Sequence, residues 1–274
     1  MKFDFGGSQI VDPPPPPARA PGEAISLRSV SHSYGDLQTL AAIDLEVAPR
    51  SVVGLVGPSG CGKSTLLELI CGLQEPAAGA IEVGGLGPAA DRLRHCAFMP
   101  QRDLLLPWYS AIDNAALALR NQGMGKRQAR TAAAALFERF GLAGFEAARP
   151  DELSGGMRQR VAFLRTLVAG KPVLALDEPF AALDAITRAE MQEWLAATLR
   201  SAPRTVVLVT HDVEEALYLC DRVVILSARP ASAVAELSAP APRAEDRDAA
   251  VTDPQFVATR EEALRALRQG MRGS

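Results

Sequence analysis

The segment SVVGLVGPSGCGKSTLLELICG, Ser51 to Gly72, constrains the fold more than any other part of the chain. Its first six residues form a continuous apolar run, the pattern of a short strand buried on both faces. KSTLLELICG reads as a helix. Between them, Gly57 to Thr65 fits G-x-x-x-x-G-K-[ST] in the strand–turn–helix setting that the pattern requires. Successive backbone N–H groups of a glycine-rich turn, together with a helix N-terminus, make a concave positive site for phosphate oxygens. Gly57, Pro58, Ser59, Gly60, Cys61, Gly62, Lys63, Ser64 and Thr65 are therefore candidate phosphate-binding residues. Lys63 is placed to reach the β/γ-phosphates and Ser64 to ligate Mg2+. Ordinary residue usage produces this pattern by accident in roughly one chain per hundred of this length, so the flanking strand and helix decide the reading.

Two further apolar runs carry polar groups at their ends. PVLALDEP presents Asp177 and Glu178 at the C-terminal end of a buried strand, the edge where open α/β sheets bind ligands. Adjacent acids are costly to bury without a cation or a proton. Asp177 suits the shell of Mg2+, and Glu178 suits orienting and deprotonating an attacking water. TVVLVT delivers His211, a candidate hydrogen-bonding partner of the γ-phosphate and that water.

In LSGGMRQRVAFLRTLVAG, Met157, Val161, Leu164 and Val168 recur at helical spacing and Ser154 occupies the N-cap position. Gly155 and Gly156 then fall in the first turn, where each costs about 1 kcal/mol relative to alanine. The exposed positive end of that helix is a second anion site. The economical arrangement is two copies head to tail, each supplying Ser154, Gly155 and Gly156 to the nucleotide held by the other.

Composition removes several classes. The 29 basic and 32 acidic residues provide no global basic field for nucleic acid, and the 48% hydrophobic content suffices for a large core. Residues 1–23 lack the apolar stretch of a signal peptide and include the spacer Pro13 to Pro17, so a disordered arm is expected. No apolar run approaches the roughly 18 residues of a membrane span. Cys61, Cys71, Cys96 and Cys220 lack zinc spacing and read as reduced thiols. Cys61, at a helix N-terminus, is expected to have a lowered thiol pKa and to be protected from alkylation by ATP.

Together, the phosphate loop, Gln101 in FMPQ, LSGG, Asp177–Glu178 and His211 resemble the ATP-binding subunit of an ABC transporter over Ala24 to Pro230. The resemblance implies an α/β fold: a RecA-like P-loop NTPase core with an antiparallel β lobe and a helical signature subdomain. It places that subdomain at about residues 102–168 of an ATPase domain 24–230, followed by a C-terminal extension 231–274 with a short helix. It implies ATP hydrolysis with Mg2+ in a sandwich homodimer. By the same resemblance Tyr34 stacks on adenine, Gln101 contacts Mg2+ and the attacking water, and Ala182, Leu183 and Asp184 form the loop crossing the dimer interface. The apolar cluster Leu104, Leu105, Leu106 and Trp108 corresponds to the face that receives a coupling helix from the membrane permease, although some of these side chains also suit packing the subdomain.

DLLLPW, EMQEWL and THDVEEALYLCDRVVILSARP are similar to the nitrate/sulfonate/taurine import group, which includes importers of pyrimidine thiamine precursors. The resemblance implies a peripheral subunit at the cytoplasmic face of the inner membrane, partnered with a permease and, indirectly, a solute-binding protein, with no nucleic acid. Ala181 departs from that group, which commonly has glycine there, and its methyl group is expected to stiffen the loop before Asp184. The alternative is a non-transport ATPase of the same family. Against the DNA-repair type, roughly ninety residues without sustained heptads separate the phosphate loop from LSGG, leaving no room for coiled-coil arms. Against the translation-factor type, only one cassette is present. A small-molecule P-loop kinase would leave LSGG and His211 unexplained.

Overall fold

The computed structural model describes residues 22–272, so the arm expected at the N-terminus lies, up to residue 21, outside the described residues. The chain begins with the antiparallel strands β1 (Ile25–Tyr34) and β2 (Leu37–Val47). It continues through β3 (Val52–Val56), α1 (Lys63–Cys71), β4 (Ala78–Val83), α2 (Ala89–His95) and β5 (Cys96–Met99). β1 pairs with both β2 and β4, giving a small sheet of order β2-β1-β4. Ile25 and Leu27 of β1 are buried and Arg28 is exposed, as a sheet solvated on one face requires, and an irregularity at Ser29, φ 48°, resets the alternation so that Val30 and His32 are buried next.

A helical region follows: α3 (Ala111–Ala115), α4 (Leu117–Asn121), α5 (Lys126–Ala134) and α6 (Gly155–Val168). Ser154 caps α6, its hydroxyl accepting from the Met157 N–H at 3.2 Å. Val161, Leu164 and Val168 are buried as the helical period dictates. The ring of Phe163 on this helix lies edge-on to Phe140 and to Phe180, with centroids 5.8 and 5.7 Å apart, which locks α6 against the segment just beyond Glu178.

The remaining elements are β6 (Val173–Asp177), α7 (Ala185–Ser201), β7 (Thr205–Thr210), α8 (Val213–Leu219), β8 (Arg222–Leu226), β9 (Ala233–Ser238), α9 (Arg247–Thr252) and α10 (Pro254–Arg272). They complete a second sheet of order β5-β6-β7-β3-β8-β9, parallel except for the antiparallel edge strand β9. All residues of β3, β6 and β7 are buried, the outcome foreseen from their unbroken apolar runs. Val56 pairs with Thr210 and Asp177 with Val209, so the three strands end level. That register brings the glycine-rich turn, Asp177–Glu178 and His211 to one edge.

The segment beyond Pro230 shows no strand pattern in its alanine- and proline-rich sequence, yet β9 pairs with β8 along its length. Its side chains are mostly exposed, and the neighbouring strand's unpaired backbone groups order it. The helix expected near the C-terminus packs on the core through Phe256, Ala263 and Ala266, all buried.

Candidate functional site

The β3–α1 turn is shaped by Gly62, which precedes α1 with φ 116°, a conformation closed to ordinary L-residues. A Cβ there would also meet the Leu40 side chain at 2.8 Å. Lys63 is buried at 7% exposure, and its ammonium donates to the carbonyls of Gly57 at 2.7 Å and Pro58 at 2.9 Å. The turn therefore curls around the lysine head.

A cleft of about 320 Å3 opens beside it. Ser59, Gly60, Gly62, Lys63, Ser64 and Thr65 line one wall, and Gln101, Asp177 and Glu178 another. Tyr34, 47% exposed, forms an end of the cleft; its hydroxyl accepts from Gln74 Nε2 at 2.8 Å and its ring is backed edge-on by His32. A half-exposed, braced aromatic ring can stack on a planar heterocycle.

Asp177 is 3% exposed. Burial raises its carboxyl pKa, opposed by a hydrogen bond from the Ser64 hydroxyl. A buried carboxylate beside a hydroxyl and the Gln101 amide is a set of hard oxygen donors. That chemistry fits Mg2+, which takes one or two protein carboxylates and fills its shell with phosphate oxygens and water.

Glu178 adopts φ 48°, the left-handed region that a glutamate enters only when its surroundings impose it. Two hydrogen bonds do so: its N–H donates to Val209 O at 2.9 Å and its carbonyl accepts from Gln159 Nε2 at 3.0 Å. The carboxylate faces Gln101 Nε2 at 3.3 Å and His211 Nδ1 at 3.3 Å. A carboxylate held between an amide and an imidazole can position and deprotonate a water. Gln159, on the buried face of α6, escaped sequence reasoning because nothing local distinguishes it from a core position.

Not every expected site residue lines the cleft. His211 touches Glu178 but borders an adjoining smaller cavity. Ser154, Gly155 and Gly156 lie outside the cleft, with Ser154 and Gly155 exposed. Gly156 has a local reason to be glycine, because a Cβ would press on Ala182 O and Leu183 Cδ2 at 3.3 Å. At Gly155 the nearest atom is 3.8 Å away, so its open face is what an anion can approach. Asp184 caps α7, accepting from the Thr187 N–H at 3.0 Å, which lowers its pKa. Ala181 is not among the positive-φ positions, so its backbone conformation does not call for the glycine common in the import group it resembles.

Cys61 corrects the expectation of a reactive thiol. It is 2% exposed and belongs to the core beneath the turn, and its burial raises the pKa despite Lys63 nearby. Of the apolar cluster after Gln101, Leu105 packs inward, while Leu104 and Trp108 are 59% and 65% exposed. Arg158 pairs with Asp103 at 3.0 Å, and Arg165 donates to the carbonyls of Asp103 and Leu104 at 2.8 and 3.0 Å. The segment bearing those two exposed side chains is thereby tied to the signature helix.

Arg229, in the β8–β9 turn, also lines the cleft, with its guanidinium 3.7 Å from where a Cβ on Gly60 would sit. No motif announced it, since only the pairing of β8 with β3 brings that turn to the cleft.

A family model described as ABC transporter matches residues 40–181, more than half of the chain and inclusive of the glycine-rich turn, Asp177 and Glu178. The chain belongs to the ABC transporter family. This ABC protein is 45% identical over 245 residues to an aliphatic sulfonates import ATP-binding protein of Rhodococcus jostii, covering 89% of the chain and 94% of that protein. It is 41% identical to a formylaminopyrimidine import ATP-binding protein of Halalkalibacterium halodurans, covering 80% of the chain and 85% of that protein. Among solved structures it resembles the ATP-binding cassette MJ0796, captured as a dimer in a post-hydrolysis state with ADP and Pi. The TM-score is 0.73 at 27% identity, over 78% of the chain and 98% of that one. The protein is thus an ATP-binding ABC ATPase whose α/β core carries an antiparallel lobe, as the sequence led us to expect.

Proposed function

We propose that this ABC ATPase is the energy-coupling subunit of an importer for a small solute of the nitrate, sulfonate or taurine kind, or a pyrimidine precursor. It works as a head-to-tail ATP-sandwich dimer on a membrane permease. The observation that carries the reading is the separation of two anion sites: the cleft at Lys63 and the exposed turn Ser154–Gly155, which stays outside that cleft. A second copy completes the site by symmetry, supplying Ser154, Gly155 and Gly156 in trans. The import names borne by both relatives support transport over the DNA-repair or translation-factor alternative.

In this mechanism Tyr34 stacks on adenine. The Gly57–Thr65 turn and Lys63 bind the phosphates, and Ser64, Asp177 and Gln101 hold Mg2+. Held there, Mg2+ would offset negative charge on the phosphates. Glu178 orients the attacking water and takes its proton. His211 hydrogen-bonds the γ-phosphate, and the partner's signature turn donates N–H groups to the charge that develops there. Leu104 and Trp108 face the permease. No helix among the described residues is long and apolar enough to cross a membrane. In this reading the subunit is peripheral at the cytoplasmic face, and a solute-binding protein acts on it indirectly through the permease.

The test is to tag the Glu178→Gln variant, trap its ATP-bound dimer in native membranes, and identify copurifying proteins by mass spectrometry. A multi-span membrane protein is the expected companion. Copurification of only ribosomes, DNA or soluble proteins overturns the importer reading while leaving the ATPase chemistry intact.

A further inference from the structure

A small cavity of about 10 Å3, enough for one water centre, lies directly behind the catalytic edge of the sheet. Its lining includes Glu178, Arg188, Thr210, His211 and Glu215. Two of these side chains carry buried atoms without a hydrogen-bonding partner among the described residues: Arg188 Nε, a donor, and Glu215 Oε1, an acceptor when ionised. Leaving such groups unsatisfied forfeits their hydration without replacing it. A single water between them would satisfy both, accepting from Arg188 and donating to Glu215.

The connections on either side of the cavity give this water a role. Arg188 Nη2 donates to Leu183 O at 3.0 Å, gripping the loop that presses against Gly156. Glu215, 4% exposed, accepts from Gln192 Nε2 at 3.0 Å, and its N–H donates to Asp212 Oδ1 at 3.2 Å, next to His211. Thr210 immediately precedes His211, and its hydroxyl accepts from the Asp212 N–H at 3.0 Å. The residues flanking His211 are therefore fixed from the Glu215 side, and the 181–184 loop is fixed from the Arg188 side. Gln192 also accepts from Arg247 Nε at 3.2 Å, which anchors the Glu215 end to α9.

We propose that this cavity is a one-water site, and that Arg188 and Glu215, joined through that water, are positioning residues that transmit the state of the 181–184 loop to His211. The inference rests on the role given to His211 under the proposed function. When a partner subunit engages the loop, Arg188 moves with Leu183, and the bridge sets how His211 meets Glu178.

ATP turnover of the full-length protein tests this with Arg188→Met, Glu215→Leu, the double variant and Glu215→Gln, alongside His211→Ala. Each of the first two should lower kcat roughly 5- to 50-fold with KM for ATP little changed, a size typical of coupling through a shared network. The double variant should be no slower than the slower single one. Glu215→Gln, which keeps a hydrogen-bonding group toward the water, should retain most of the activity. A high-resolution crystal structure should show a water within hydrogen-bonding distance of Arg188 Nε and Glu215 Oε1. Multiplicative losses in the double variant, losses that follow melting temperature or KM in place of kcat, or an ordered structure with no such water overturn the proposal. If Glu215→Leu does not fold, the Glu215→Gln turnover and the crystal structure decide. An active His211→Ala variant overturns the histidine role and this proposal together, whereas an inactive one beside unaffected Arg188 and Glu215 variants overturns this proposal alone.

Discussion

His211 Nδ1 stands 3.3 Å from Glu178 Oε1, although the two residues follow different strands and are joined only by the parallel register of β6 and β7. The carboxylate also faces Gln101 Nε2 at 3.3 Å. Glu178→Gln keeps the shape and removes the proposed base. Hydrolysis should fall on the order of 10²- to 10⁴-fold, the usual size of a general-base effect, while ATP affinity is retained. Single-turnover hydrolysis and equilibrium nucleotide binding on the same preparation separate the two, and unchanged turnover removes Glu178 from its role.

Lys63 has its ammonium held by two carbonyls of its own turn, ready to be shared with phosphate oxygens. Lys63→Met removes a charge-assisted interaction of about 1.5–3 kcal/mol, so ATP should bind roughly 10- to 150-fold more weakly. Fluorescent-nucleotide titration measures this. The far-ultraviolet circular dichroism spectrum should match that of the wild type.

Cys61 is buried beneath the turn with a raised pKa, so it is a poor nucleophile. N-ethylmaleimide should modify it far more slowly in the native protein than in urea, at the same rate with and without Mg-ATP. Peptide mass spectrometry gives the site-resolved rate. Rapid native labelling that ATP suppresses would restore the reactive-thiol reading.

Glu215 has its pKa raised from 4.5 to about 7 by burial, with Asp212 adding to the rise and Arg188 opposing it. A carboxyl whose folded pKa lies above its unfolded value favours folding fully below pH 4.5, and this stability is lost as pH climbs through about 7. Relative to Glu215→Gln, the wild type should therefore lose stability on the order of 2–3 kcal/mol between about pH 5 and 8.5. Urea unfolding of both proteins across that range checks the sign. A pH-independent difference contradicts it.

Trp108 and Leu104 are exposed on a segment braced by Arg158 and Arg165. Trp108→Ser should leave the ATPase activity of the isolated subunit within about 2-fold but weaken permease association by more than roughly 30-fold, the loss typical of an aromatic hot spot. Copurification from membranes measures the second quantity. Equal recovery of the permease with both proteins places the docking face elsewhere.

The sequence was most informative where the chemistry is local. The glycine-rich turn, the unbroken apolar runs of β3, β6 and β7, and the Ser154 cap of α6 each depend on residues within a few positions of one another, so periodicity and spacing determine them. The same holds for the identity of the groups at the strand ends. Asp177, Glu178 and His211 had to emerge wherever those strands ended.

Only the tertiary structure decided what those groups meet. Strand pairing brings Arg229 to the cleft, and helix packing brings Gln159 to the Glu178 carbonyl and sets Arg188 beside Glu215 across one small cavity. The same packing turned the Cys61 thiol inward and laid α10 on the core. Burial and hydrogen-bond satisfaction are properties of surfaces brought together from distant parts of the chain, so no local pattern encodes them. Each depends on which neighbour excludes water from a side chain, and that neighbour is chosen by the fold as a whole.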